Sequence, residues 1–209
     1  MERPIFFRGP MVRAILDRKK TMTRRGIKPQ PVQNPRDRQI DFHSKSGKWL
    51  GAYDPLMHDG NMWDCCPYGQ PGDTLWVRET WASSPFRNII KPRDLIPGSD
   101  RIEYRATYPN ESHYSWRPSI HMPRWASRIN LLVKSVRVER LQDISEEDAM
   151  AEGINPLDFL HMVTPTEVKT MKRLTCFELA WDSIYGKKYP WESNAWVWVV
   201  GFEIAEVKP

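Results

Sequence analysis

Apolar and polar positions repeat along this chain with two different periods, and the switches between them mark its elements. Val12, Ile15, Leu16 and Lys19 recur at i, i+3, i+4 and i+7 with Pro10 near the start, which predicts a short helix over 10–20. The run Thr74-Leu75-Trp76-Val77-Arg78-Glu79-Thr80-Trp81 is rich in β-branched and aromatic residues and alternates with period two, as a strand does. Gln70-Pro71-Gly72-Asp73 launches it from a strong turn. Alternation puts Leu75, Val77 and Glu79 on one side and Trp76, Arg78 and Thr80 on the other. A carboxylate that closes an apolar face must be paired or sit at the mouth of a pocket. Further strands are predicted over 102–107, 129–141 and 196–207, the last with Trp198, Val200, Phe202 and Ile204 facing one way. Ser145-Glu146-Glu147-Asp148 reads as the capped start of a short helix ended by Gly153. Thr164-Pro165-Thr166-Glu167 opens a second predicted helix, reaching about Tyr185, with Met171, Leu174, Phe177, Trp181 and Ile184 as its core stripe.

Residues 26–73 break this pattern with repeated Pro and Gly. Within them, 39–43 and 48–53 can pair as a hairpin around Ser44-Lys45-Ser46-Gly47. We read 29–73 as a long insertion; such segments are usually lids or binding loops, and Trp49, Tyr53, Trp63 and Tyr68 suit a lid. Strands outnumber helices and do not alternate with them regularly. The expected class is therefore α+β: a small, mostly antiparallel β-barrel with flanking helices, one domain over 1–209 with 29–73 inserted.

Composition narrows the function classes. No apolar run approaches the roughly 20 residues a membrane span needs, so no membrane partner is expected. Met1-Glu2-Arg3-Pro4-Ile5-Phe6-Phe7 is charged too soon for a signal peptide. Three cysteines cannot build a disulfide framework, which points to a reducing, cytoplasmic setting. No Gly-x-Gly-x-x-Gly or phosphate-loop motif occurs, and no cofactor is expected. His58, Asp64, Cys65 and Cys66 cluster without Cys-x-x-Cys spacing, which argues against zinc; His113, His121 and Cys176 stand apart.

Charge changes the picture more. The chain is net +5, yet residues 1–28 alone carry nine basic and two acidic side chains, so the rest is net negative. A local excess of this kind attracts polyanions, although a solvated helix face would look the same. A second basic group, Trp116 to Arg128, interleaves Arg117, His121, Arg124 and Arg128 with Trp116 and Trp125. Arg and Trp planes can stack on bases while cations hold phosphate; the alternative is a Pro-bracketed loop whose Trp side chains dock on the core.

Three stretches carry a family resemblance. Arg18-Lys19-Lys20-Thr21-Met22-Thr23-Arg24-Arg25 resembles the Gly-x-Lys-x-x-Thr signature of the ASCH domain family, with Lys20 and Thr23 on the signature Lys and Thr and Arg18 in place of the Gly. Pro71 to Glu79 resembles the strand this family places beside that turn, and Trp116 to Gly153 resembles phage- and prophage-encoded members. The resemblance covers most of the chain except 29–65. It implies a PUA-like β-barrel, with a cleft lined by the Lys–Thr turn, that binds RNA, DNA or a modified nucleoside or nucleotide. It also implies two possible activities, hydrolysis of N4-acylated cytidine and ribonuclease action. In the amidohydrolase type a Lys, a Thr three residues later and a Glu form the catalytic set; Lys20, Thr23 and Glu79 are the expected counterparts. In the binding reading Arg18, Lys19, Thr21, Arg24 and Arg25 meet the ligand beside Trp76, Arg78, Trp81, Arg117, His121 and Arg124. There Trp76 or Trp81 stacks on a base and Glu79 accepts from an exocyclic amine. A third class, a phage morphogenesis protein, stays open, although the chain has none of the long heptads assembly proteins often use.

Overall fold

The computed structural model describes residues 1–33, 39–44, 46, 49–54, 59–60, 65–83, 90–98, 100–156 and 172–208. Its elements run β1 (Glu2–Phe6), α1 (Gly9–Leu16), β2 (Met22–Gly26), β3 (Val32–Gln33), β4 (Ile40–His43), β5 (Trp49–Asp54), β6 (Asp59–Gly60) and β7 (Thr74–Arg78). They continue with β8 (Trp81–Ser83), β9 (Ile102–Tyr104), β10 (Ile129–Arg140), α2 (Glu146–Ala151), α3 (Arg173–Tyr185) and β11 (Trp196–Val207). The architecture is α+β and mostly antiparallel. A five-stranded sheet has the order β1-β7-β10-β11-β2, in which only β1 and β7 pair in parallel.

β11 explains how the layers assemble. Trp196, Trp198, Val200 and Phe202 lie in the main core with Leu75, Val77, Leu131 and Val133. Val197 and Val199, on the opposite face, pack with Phe177 and Trp181 of α3 and Ala149 of α2. The strand is thus buried on both faces, and its near-continuous apolar run follows from that. The stripe of α3 is borne out at Leu174, Phe177 and Trp181, with Cys176 buried as well, while Ile184 is half-buried and lines a cavity with Arg8, Pro10 and Met11; Met171 and the proposed start at Thr164 lie outside the described residues.

Two expectations change. The barrel is not closed: among the described residues the outer strands β1 and β2 share no backbone ladder. A side chain links them instead, with Arg25 Nη2 donating to the Phe6 carbonyl at 2.6 Å and the guanidinium 5.0 Å from the Phe7 ring centroid. The segment after α1, which falls in none of the strands predicted above, is strand β2, because the edge of β11 supplies the hydrogen-bonding partner that weak local propensity does not. The hairpin inside the insertion forms as β4 and β5, within a four-stranded sheet of order β3-β4-β5-β6. Ile40, Phe42 and Tyr53 join the main core, and Phe42 stacks on Trp198 at 5.3 Å. His58, Trp63, Asp64 and the Trp49 side chain lie outside the described residues. No helix among the described residues is long and apolar enough to cross a membrane.

Candidate functional site

The site begins with how α1 ends. Arg18 N donates to the Ile15 carbonyl and Lys19 N to the Ala14 carbonyl, both at 2.8 Å, and Arg18 adopts φ +58°. This is a Schellman-type cap, whose left-handed position usually holds Gly. Arg18 holds this position, so the turn keeps a glycine-like backbone without a glycine. α2 ends in the same way, with Gly153 N bonded to Met150 O, Ile154 N to Ala149 O, and Gly153 at φ +76°. The two caps pack face to face. A Cβ on Gly153 would lie 2.9 Å from Lys20 Cβ and 3.0 Å from Ala14 Cβ, so glycine here serves both the dihedral and the close approach.

Thr21 N donates to Ala151 O, and Lys20 Nζ donates to Glu152 O at 2.9 Å, so last-turn carbonyls of α2 find donors in this loop. The same ammonium lies 2.5 Å from Glu152 Oε2. A cation suits a helix C-terminus. Lys20 is 2 % exposed; burial pulls its pKa below the free value, Glu152 pulls it up, and Arg25 and Arg24 reinforce the lowering. Glu152 Oε1 is buried without a hydrogen bond, 3.7 Å from Arg24 Nη1.

The register of β2 on β11 sends Thr23 and Arg25 to the face of Val200 and Trp198, and Arg24 to the face of Val199. Thr23, at 2 % exposure, lines a recess of about 30 Å³ with Arg24, Arg25, Glu152 and Tyr185. That is room for about one water-sized group. Arg25 Nη1 donates to the Tyr185 hydroxyl at 2.7 Å, and these two residues also line an outer cavity of about 300 Å³. Gly26 to Pro29, Phe42, His43, Leu50, Cys65, Pro67, Tyr68, Tyr189 and Trp198 complete its wall.

Glu79 lines neither space. It is buried at the end of β7, as the alternation requires, and Arg128 Nε and Nη2 donate to its two oxygens at 2.9 and 3.1 Å. Burial raises its carboxyl pKa against the lowering by Arg128. The carboxylate beside Lys20 is therefore Glu152, which the sequence reading missed. A signal was present: a capped helix ended by Gly153 puts residue 152 at a helix C-terminus.

Two cations of the first 28 residues, Lys20 and Arg24, are turned inward, while Arg8, Arg13, Arg18, Lys19 and Lys28 are exposed. Arg24 is fully buried and meets Glu139 at 3.1 Å together with Asp148, while Arg137 holds Asp148 at 2.6 Å. Arg18 and Lys19 are exposed, Lys19 against Asp17, and the Thr21 side chain is exposed. Trp81 is fully buried under the Arg117 guanidinium, so stacking on a ligand is not open to it. Trp76 is half-buried and covered by Arg78 and Arg124, at 5.3 and 5.7 Å from its ring. Arg78 donates to the Ser119 and Ile120 carbonyls, Arg124 forms a two-bond pair with Glu2, and His121 is exposed. Among the described residues no group of three His, Cys, Asp or Glu gathers to hold a metal ion.

No family model matches the chain. No curated protein matches it either. Its fold resembles, at a TM-score of 0.39 and 10 % identity, the crystal structure of protein EF3133 from Enterococcus faecalis, described under the family model DUF984; the alignment covers 100 % of this chain and 84 % of that one.

Proposed function

We propose that this protein is a modified-nucleoside or nucleotide-binding protein of ASCH, PUA-like type, whose ligand sits in the outer cavity with its modified group toward the Thr23 recess. One arrangement carries the reading. A cavity walled by Tyr68, Tyr185, Tyr189 and the Phe42–Trp198 stack shares Arg25 and Tyr185 with a small recess that Thr23 and Glu152 line beside Met11, Ile154 and Trp181. Aromatic faces take a base, and the polar groups behind them read its substituent.

A second reading, hydrolysis of N4-acylated cytidine, is favoured by the state of Lys20. A lysine is a poor base while charged, and desolvation shifts this one toward its neutral form. Thr23 Oγ attacks the amide carbonyl carbon and its proton passes to the Lys20 amine. The C–N bond then breaks, the Lys20 ammonium returns the proton to the departing cytidine N4, and water hydrolyses the threonyl ester to release the acid. In this reading Glu152, in place of Glu79, holds Lys20, and its Oε1 lies 3.7 Å from Arg24 Nη1 without a hydrogen bond.

Incubation of N4-acetylcytidine with wild type, Thr23→Ala and Glu152→Gln tests both readings. Binding without turnover supports the first alone. Turnover lost in Thr23→Ala supports the second, turnover independent of Thr23 removes the nucleophile, and the absence of binding and turnover removes both.

A further inference from the structure

The outer cavity has a feature that nucleoside recognition does not use. Arg25, Lys28 and His43 lie around its aromatic floor, and no Asp or Glu is among the described residues that line it. The buried cations of this chain are met by acids, Lys20 by Glu152, Arg24 by Glu139 and Asp148, Arg128 by Glu79, whereas Arg25 donates to the neutral Phe6 carbonyl and Tyr185 hydroxyl. A cavity lined by an arginine and a lysine, with no acid among its described lining residues, suits an anion.

The anion-facing side belongs largely to the insertion and the strand end before it. Lys28 is exposed just beyond β2, and His43 ends β4 half-buried. Tyr68 brings its ring from the loop before β7, buried enough that its phenol pKa is pushed up to about 12, so it stays a neutral donor. Tyr185 and Tyr189 of the lining come from α3 and the turn after it, and the Tyr189 hydroxyl is committed to the Ile27 carbonyl, one residue before Lys28, at 3.1 Å. The volume of about 300 Å³ lies at the lower end for ligand pockets, which fits one base with its sugar and phosphate rather than a longer strand.

Resting on the nucleoside reading above, we infer that the ligand is a nucleoside monophosphate unit, its phosphate held by Lys28 and His43 beside Arg25 and its base against the aromatic wall that the insertion completes. The described part of the insertion then supplies a ligand-selecting wall. The phosphate can come from a free mononucleotide or from the end of an RNA strand, and the two are separated below.

Calorimetric titrations with cytidine, cytidine 5′-monophosphate and a short oligocytidylate, with and without a 5′-phosphate, test this. Wild type is expected to prefer the monophosphate over cytidine by about ten-fold, the scale of one charge-assisted contact. In Lys28→Ala/His43→Ala, which alters an exposed and a half-buried side chain, that ratio is expected to fall toward one. A phosphate preference confined to the free nucleotide assigns the mononucleotide, and one shared by the 5′-phosphorylated oligomer assigns the strand end. Equal affinity for cytidine and its monophosphate in wild type, or a preference that survives the double substitution, overturns the phosphate site and leaves the nucleoside reading standing. No binding of any probe overturns both.

Discussion

The Lys20 ammonium donates to the backbone carbonyl of Glu152 at 2.9 Å and sits 2.5 Å from its carboxylate, joining residues 132 positions apart with almost no solvent contact. Each partner stands where a helix ends. The pair therefore fixes how α1 and α2 meet, and with it the shape of the Thr23 recess. Because the ammonium is desolvated on all sides, the contact holds Lys20 in place while the surroundings favour loss of its proton.

Removing one partner leaves the other buried without compensation. Glu152→Gln is expected to cost about 3 kcal/mol of stability, read from urea unfolding. Adding Lys20→Met to it should recover much of that loss, because the orphaned cation is then gone. Additive losses in the double variant would show that the two side chains are not coupled.

The depressed lysine pKa sets a sign for pH dependence. Between the folded value and 10.5 the unfolded chain holds the Lys20 proton more often than the folded one, so this group makes stability rise with pH across that interval and level off above it. The difference between wild type and Lys20→Met in denaturant midpoint isolates it from the tyrosines that titrate nearby in pH. A difference that does not change with pH would refute the desolvation.

The two left-handed caps make opposite substitutions informative. Arg18→Gly relieves a backbone strain of roughly 1–2 kcal/mol but frees the unfolded chain, so a gain of about 0.5 kcal/mol is expected in thermal unfolding. Gly153→Ala adds both the strain and the approach to Lys20, and should cost about 2–3 kcal/mol.

Glu79 and Glu152 are separated by activity rather than stability. Breaking the buried Glu79–Arg128 pair with Glu79→Gln should destabilise by about 3 kcal/mol. If the hydrolase reading holds, turnover per folded molecule should survive that change and fall about a hundred-fold in Glu152→Gln. The reverse order would return the catalytic carboxylate to β7.

Local pattern carried much of the fold. The alternation over 74–79 correctly buries Leu75, Val77 and Glu79, the Ser145 cap forms with its hydroxyl accepting from Asp148 N, and the 129–140 and 196–207 strands match their apolar runs. Each of these rests on side-chain period or on contacts within one turn of chain, so no knowledge of partners was needed. β2 was not legible, because Met22-Thr23-Arg24-Arg25-Gly26 has little strand character until β11 pairs with it.

The sequence by itself also placed Lys20 and Thr23 at the end of a helix, and it required the Glu79 carboxylate to be paired or open to a pocket. Which acid faces which cation was a tertiary decision. Glu152 and Glu79 are both carboxylates at the ends of elements, and nothing local distinguishes them. The meeting of two helix caps gives Lys20 to Glu152, and the β7–β10 ladder gives Glu79 to Arg128. Charge counted along a chain records no partners: of the amino-terminal run, Lys20 and Arg24 close around internal acids, while Arg8, Arg13, Arg18, Lys19 and Lys28 stay at the surface, Lys28 beside the outer cavity.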